Sequence, residues 1–101
     1  MELNFTSPLW RWQGKGAWYF LTVPLEESEI LRDVAPLVGK GWSSIPVTAT
    51  IEVSSWKTSV FFDSKSKCYV LPIKAEIRKR EKLEEESLIM IKLNVGNSSS
   101  E

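Results

Sequence analysis

The segment from Ile45 to Ser54 constrains this chain more than any other. Ile45, Val47, Ala49, Ile51 and Val53 alternate with Pro46, Thr48, Thr50, Glu52 and Ser54. Successive side chains of a strand point to opposite faces, so the pattern gives one buried face and one wet face. A chain holding this strand must supply others to pair with it and an apolar layer to cover it. Pro46 has no amide hydrogen and belongs at the strand's start or on an edge. Ser54-Ser55 is expected to turn the chain into a second strand, Trp56 to Phe62.

The rest of the chain supplies partners. Leu3 to Trp12 alternates imperfectly and reads as a strand bent at Pro8. Gln13-Gly14-Lys15-Gly16 offers a turn, because glycine reaches positive φ without a Cβ clash. Ala17 to Val23, aromatic and β-branched, reads as the returning strand of a hairpin. Pro24 stops it. Glu26, Glu27 and Glu29 then favour the positive end of a helix dipole, and Ile30, Leu31 and Val34 fall at helical spacing. Pro36 is expected to end this helix, and Gly39-Lys40-Gly41 to open a loop. Asp63 to Lys67 reads as a polar loop and Cys68 to Leu71 as a brief strand. Pro72 is expected to set the first turn of a second helix over residues 73–83, with Ile73, Ile77 and Leu83 inward. After the solvated run Glu84-Glu85-Glu86, Ser87 to Val95 reads as a strand apolar on both faces, which fits either barrel closure or a dimer seam.

The order is two strands, helix, three strands, helix, strand. It predicts a mainly β fold with two short helices, a small closed or half-closed barrel. Residues 1–95 form the single barrel domain, and 96–101 are expected to be a disordered polar tail. The length of 101 residues suits one domain.

Composition removes several chemistries. Thirteen basic and 13 acidic residues give zero net charge, which argues against nonspecific nucleic-acid binding. With no histidine, the commonest general base and metal ligand are missing. The lone Cys68 builds neither an internal disulfide nor a zinc site. No Gly-rich phosphate loop, Gly-x-Ser-x-Gly elbow or calcium loop occurs. No metal, cofactor or catalytic residue is therefore expected. Without a signal-like start or a membrane-length apolar run, the expected location is the cytoplasm.

Three constellations remain. Trp56-Lys57-Thr58-Ser59 opens a strand, with Trp56 and Thr58 on one face; an aromatic plate and hydroxyls there suit the wall of a ligand site or, equally, core packing. Lys74 and Arg78 lie four residues apart after Pro72, and Arg is suited to gripping a carboxylate or phosphate in two-pronged fashion. The third is aromatic density. Trp10 and Trp12 share a face, and Trp42 sits in a glycine-flanked loop, where binding residues are common.

Trp18-Tyr19-Phe20-Leu21-Thr22-Val23-Pro24, Gly39-Lys40-Gly41-Trp42, Trp56-Lys57-Thr58-Ser59-Val60-Phe61 and Tyr69-Val70-Leu71-Pro72-Ile73-Lys74…Arg78 together carry a family resemblance. The chain resembles the bacterial and archaeal domain-of-unknown-function family nineteen-oh-five over roughly residues 3–95. The resemblance implies a double-split β-barrel, shared in outline with AbrB-like regulators and addiction antidotes, and brings no established activity. The chain departs from the family pattern before the last strand, where Glu85-Glu86-Ser87 replaces a Gly-Asp turn.

The leading expectation is a binding module without catalysis. Its candidate site is Trp56, Thr58, Ser59, Lys74, Arg78 and Trp42, taking a small anionic molecule or a protein partner. The alternative is an AbrB-like nucleic-acid-binding regulator, against which the zero net charge counts. Behind both stands an enzyme using carboxylates or Cys68. The sequence leaves monomer and homodimer open.

Overall fold

The computed structural model describes residues 1–38, 41 and 43–95. Trp42 and the 96–101 tail, both singled out in the sequence, lie outside the described residues. The elements are β1 (Glu2–Arg11), β2 (Tyr19–Thr22), α1 (Leu25–Val34), a 3-10 helix (Ala35–Val38), β3 (Ser44–Ile51), β4 (Ser54–Asp63), β5 (Cys68–Pro72), α2 (Ala75–Arg80) and β6 (Leu88–Val95). Every strand pairing is antiparallel, and the strands close into a barrel in the order β1-β2-β5-β4-β3-β6.

Alternation builds this barrel. Leu3, Phe5 and Leu9 of β1, Ile45, Val47, Ala49 and Ile51 of β3, and Ile89, Ile91, Leu93 and Val95 of β6 all point inward and are buried. The outward residues of β6, Leu88 and Met90, are 71% and 73% exposed. The both-faces apolar pattern of β6 thus belongs to a strand that closes the barrel between β1 and β3. Ser7 is the polar residue on the inner face of β1, and its hydroxyl donates to the Thr22 carbonyl at 2.8 Å.

Five local expectations are corrected. The β3–β4 turn falls at Glu52–Val53, not Ser54-Ser55. Glu52 takes φ 52°, as a tight hairpin turn requires, Val53 is 90% exposed, and Ser54 is a buried strand residue donating to the Glu81 carboxylate. The second strand is shorter than Ala17–Val23. Pro36 does not end the helical run, since the chain continues through the 3-10 helix that contains it. Pro72 ends β5, paired with Phe20, instead of opening a helix. Lys74, with extended backbone, is the residue before α2, which is shorter than 73–83. Ile73 and Ile77 are buried as expected, and Leu83 packs against the core from a half-buried position. Before β6, Glu86 adopts φ 71°, so the substituted turn uses a left-handed glutamate where glycine is the easier residue. Its N–H donates to the Leu9 carbonyl at 2.7 Å, tying the turn to β1.

Ser28 fixes α1 against the barrel. Its hydroxyl donates to the Val23 carbonyl and accepts the Tyr69 N–H, both at 2.9 Å. That arrangement satisfies a buried hydroxyl completely and locks the helix to β5.

Candidate functional site

The site begins with a proline. Phe62 N–H donates to the Ser43 carbonyl at 3.0 Å, which sets the phase of the β3–β4 ladder: even-numbered β4 residues bond to β3. Odd-numbered residues turn their backbone groups to the other side. On β5, Tyr69 accepts from Val23 N–H (2.8 Å), and Ile73 N–H donates to Tyr19 (2.9 Å). Odd residues there face β2, and even residues face β4. The β4–β5 register pairs Asp63 with Cys68 and Phe61 with Val70. The next bonded pair would be Ser59 with Pro72, and Pro72 has no N–H to give. The ladder stops there, β5 peels away into the turn before α2, and the barrel wall splits.

The split forms a cleft of about 420 Å³. One side is Trp56, Lys57 and Thr58 of β4; the other is Pro72, Ile73, Lys74, Ala75 and Arg78; Ala17, Trp18 and Tyr19 complete it. Alternating side chains cannot all face one way, so three consecutive β4 residues line one cleft because it runs along the strand's open edge. Lys57, an odd residue, directs its N–H and C=O to that edge, and among the described residues neither has a hydrogen-bond partner.

Arg78 is held in place. Its guanidinium lies over the Tyr19 ring, 4.1 Å from the centroid, and its Nη1 donates to the Ile73 carbonyl at 3.2 Å. Stacking on the ring holds the planar guanidinium in one orientation, with further N–H donors left for a ligand. Lys74 approaches Glu76 at 3.8 Å, with both side chains more than half exposed, a contact worth little. Glu76 also takes Arg80 at 3.1 Å. Lys57 has no ion pair among the described residues. The charged residues lining the cleft are therefore Lys57, Lys74 and Arg78, all cationic, with aromatic rings beside them.

The matching family model is a domain of unknown function (DUF1905), aligned over residues 5–93. The chain belongs to this family. A comparison with curated proteins finds none that matches. In this DUF1905 domain Trp56, Thr58, Lys74 and Arg78 converge on the cleft, although they come from opposite sides of the split. Ser59 does not line it: it points outward with Phe61, one register step past the opening. Trp56 serves two purposes, being 8% exposed in the core while its accessible edge lines the cleft. The sequence reasoning passed over Tyr19. Its inward register with Leu21 was readable, but its contact with Arg78 spans most of the chain and has no local signature.

A second concavity adjoins the cleft on the outer wall. Trp12, Trp18, Phe20, Phe61, Val70 and Pro72 line a groove of about 430 Å³, and Trp18 and Pro72 border both spaces. The tryptophans are seated by glycines. A Cβ on Gly14 would overlap the Trp12 ring, and one on Gly16 would sit 3.1 Å from Trp18 Nε1 on a backbone at φ 88°. Trp18 stacks with Phe20 at a centroid distance of 6.5 Å. Phe20 also meets Trp10, whose indole N–H is satisfied by the Thr22 hydroxyl at 2.8 Å. Cys68 is free and buried on β5, away from the cleft lining. Among the described residues no group of acidic, Cys or His side chains could hold a metal, and no helix is long and apolar enough to cross a membrane.

Proposed function

We propose that this domain is a binding module for a small anionic molecule, held in the cleft where β4 and β5 part. One observation carries the reading: the charged groups lining the cleft are Lys57, Lys74 and Arg78, and among the described residues no carboxylate lines it. Lys57 and Arg78 have no carboxylate partner among the described residues and Lys74 has only the exposed Glu76, so the cations repel one another and an anion between them relieves that repulsion. Arg78, oriented on Tyr19, offers a planar grip suited to carboxylate or phosphate. Trp18, Trp56 and Tyr19 add aromatic surface to the lining, so an anion attached to a ring suits the cleft better than a bare ion. The unpartnered Lys57 N–H adds a fixed donor at the strand edge.

Binding without turnover fits the residues. The sequence has no histidine, and among the described residues no acidic side chain or cysteine lines the cleft.

The test is a titration of benzoate and of inorganic phosphate by calorimetry, with thermal shift alongside. Benzoate is expected to bind and to raise the melting temperature, phosphate to bind more weakly. Lys74→Glu, at an exposed position, is expected to abolish both without unfolding the barrel. If neither anion binds the unaltered protein at low salt, the reading fails.

A further inference from the structure

We infer that the cleft and the adjoining groove are one bipartite site, and that its ligand is an amphipathic carboxylic acid with an apolar acyl or aryl-alkyl body. The inference rests on the anion-binding reading above and extends it to the rest of the ligand. Two observations beyond the cationic cleft support it. First, the two spaces are neighbours, because Trp18 and Pro72 border both. A molecule whose carboxylate sits among Lys57, Lys74 and Arg78 has an apolar path out past the Trp18 ring. Second, the groove is built, not incidental. Trp12, Trp18 and Phe61 are 45%, 55% and 43% exposed, and two glycines of the β1–β2 connection leave room for the indoles. Large apolar side chains gathered in one exposed concavity mark a binding surface.

The charge pattern selects the occupant. Among the described residues the groove carries no charged side chain, whereas the adjoining cleft is cationic. An apolar chain ending in an anion matches both halves, and an apolar chain ending in a cation matches one and opposes the other. Each space is of a size that takes a small molecule, which also favours such a ligand over a large docking partner.

The experiment is calorimetric titration of benzoate and of butanoate, hexanoate, octanoate and decanoate below their micelle concentrations, with octylamine as the cationic counterpart. Affinity is expected to rise about two- to four-fold for each added methylene until the groove is filled. Octylamine is expected not to bind. Phe61→Ser and, separately, Gly14→Val, which drives a side chain into the Trp12 ring, should flatten the chain-length series and leave benzoate binding unchanged. If benzoate binds but the series is flat in the unaltered protein, the bipartite site is refuted while the anion reading stands. If no acid binds, both fall. Octylamine binding as tightly as octanoate would overturn the inference. So would a dimer seen by sedimentation at the titration concentrations and lost in Phe61→Ser, since it would give the groove to a second copy of the chain.

Discussion

Along β3, β6 and β1 the ladders continue from Val47↔Val95 to Thr50↔Lys92 and from Glu2↔Asn94 to Pro8↔Leu88. The β4–β5 ladder, by contrast, reaches only from Asp63↔Cys68 to Phe61↔Val70. Both walls carry a concavity of similar size. The one on the continuous wall, about 380 Å³, is lined by Asn4, Thr6, Thr50, Glu52, Met90 and Lys92 among others, with charges of both signs. Asn4, Thr6, Thr50 and Lys92 are on paired strands, but this concavity also borders a ladder end, since the β3–β6 pairing stops at Thr50↔Lys92 and Glu52 lies in the β3–β4 turn. At the split, a missing amide hydrogen leaves backbone groups unpaired, and helix α2 brings cations to the opening. Of these two concavities among the described residues, the one at the split combines a ladder end with charge of one sign. An interrupted ladder occurs on both walls, so it is the charge of one sign at the β4–β5 split that makes a candidate site of it.

Substitutions on the two walls sharpen this contrast. On the continuous wall Leu93 is fully buried, and Leu93→Ala should cost about 2–5 kcal/mol through lost burial and a residual cavity, read from urea unfolding. Benzoate affinity should stay the same for the fraction that is folded. At the split, Pro72→Val restores the N–H that can bond to Ser59. The ladder should then extend and narrow the cleft, weakening benzoate binding by about ten-fold, or roughly 1.4 kcal/mol. Slow hydrogen exchange at the new residue 72 amide would confirm the extension; fast exchange with unchanged affinity would show that something other than the proline opens the wall.

A smaller effect comes from Tyr69, buried on the inner face of β5. Burial raises its phenol above the ordinary value of 10.0, and the positive charge of Arg32 offsets part of that rise. The unfolded chain therefore loses this proton before the folded one does. Stability from the neutral phenol is fully present below the unfolded value and declines as pH climbs from there toward the raised folded value. Urea midpoints measured from about pH 8 to pH 11 should fall at the alkaline end. Tyr69→Phe should fall less steeply, and an equal slope would remove Tyr69 as the cause. The smallest effect is expected for Lys92→Ala on the continuous wall. Its stability should change by less than about 0.5 kcal/mol, and its benzoate affinity should be unaltered. A clear loss of affinity would move the anion site to the other face of the barrel.

Parts of this picture are legible in the residues alone. The alternation from Ile45 to Ile51 identifies β3 and its buried face, whereas β6, apolar on both faces, is legible as a strand but not in which face is buried. Turn positions are less legible. Glu52 and Val53 carry no glycine or asparagine, yet they form the hairpin tip because the Ile51↔Ser54 register and the Ser54–Glu81 contact leave the chain no other place to reverse. Pro72 reads equally well as a helix opener and as a strand end, and only its pairing with Phe20 decides between them. At the site, Lys74 and Arg78 stand out as a pair by spacing, and alternation sets Trp56 and Thr58 on the face opposite Ser59, but no local pattern shows that Lys57, on the face of Ser59, lines the cleft.

The sequence by itself determined what alternation and composition can encode: the strand-rich order, the inward face of β3, the absence of histidine chemistry and the cations around Pro72. These are local properties, set by side-chain period and residue type. Only the tertiary structure decided where the barrel wall opens, that Tyr19 lies under Arg78, and that the apolar groove adjoins the cationic cleft. Each of those depends on which strand pairs with which and in what register, and pairing between segments tens of residues apart is fixed by closure of the whole sheet.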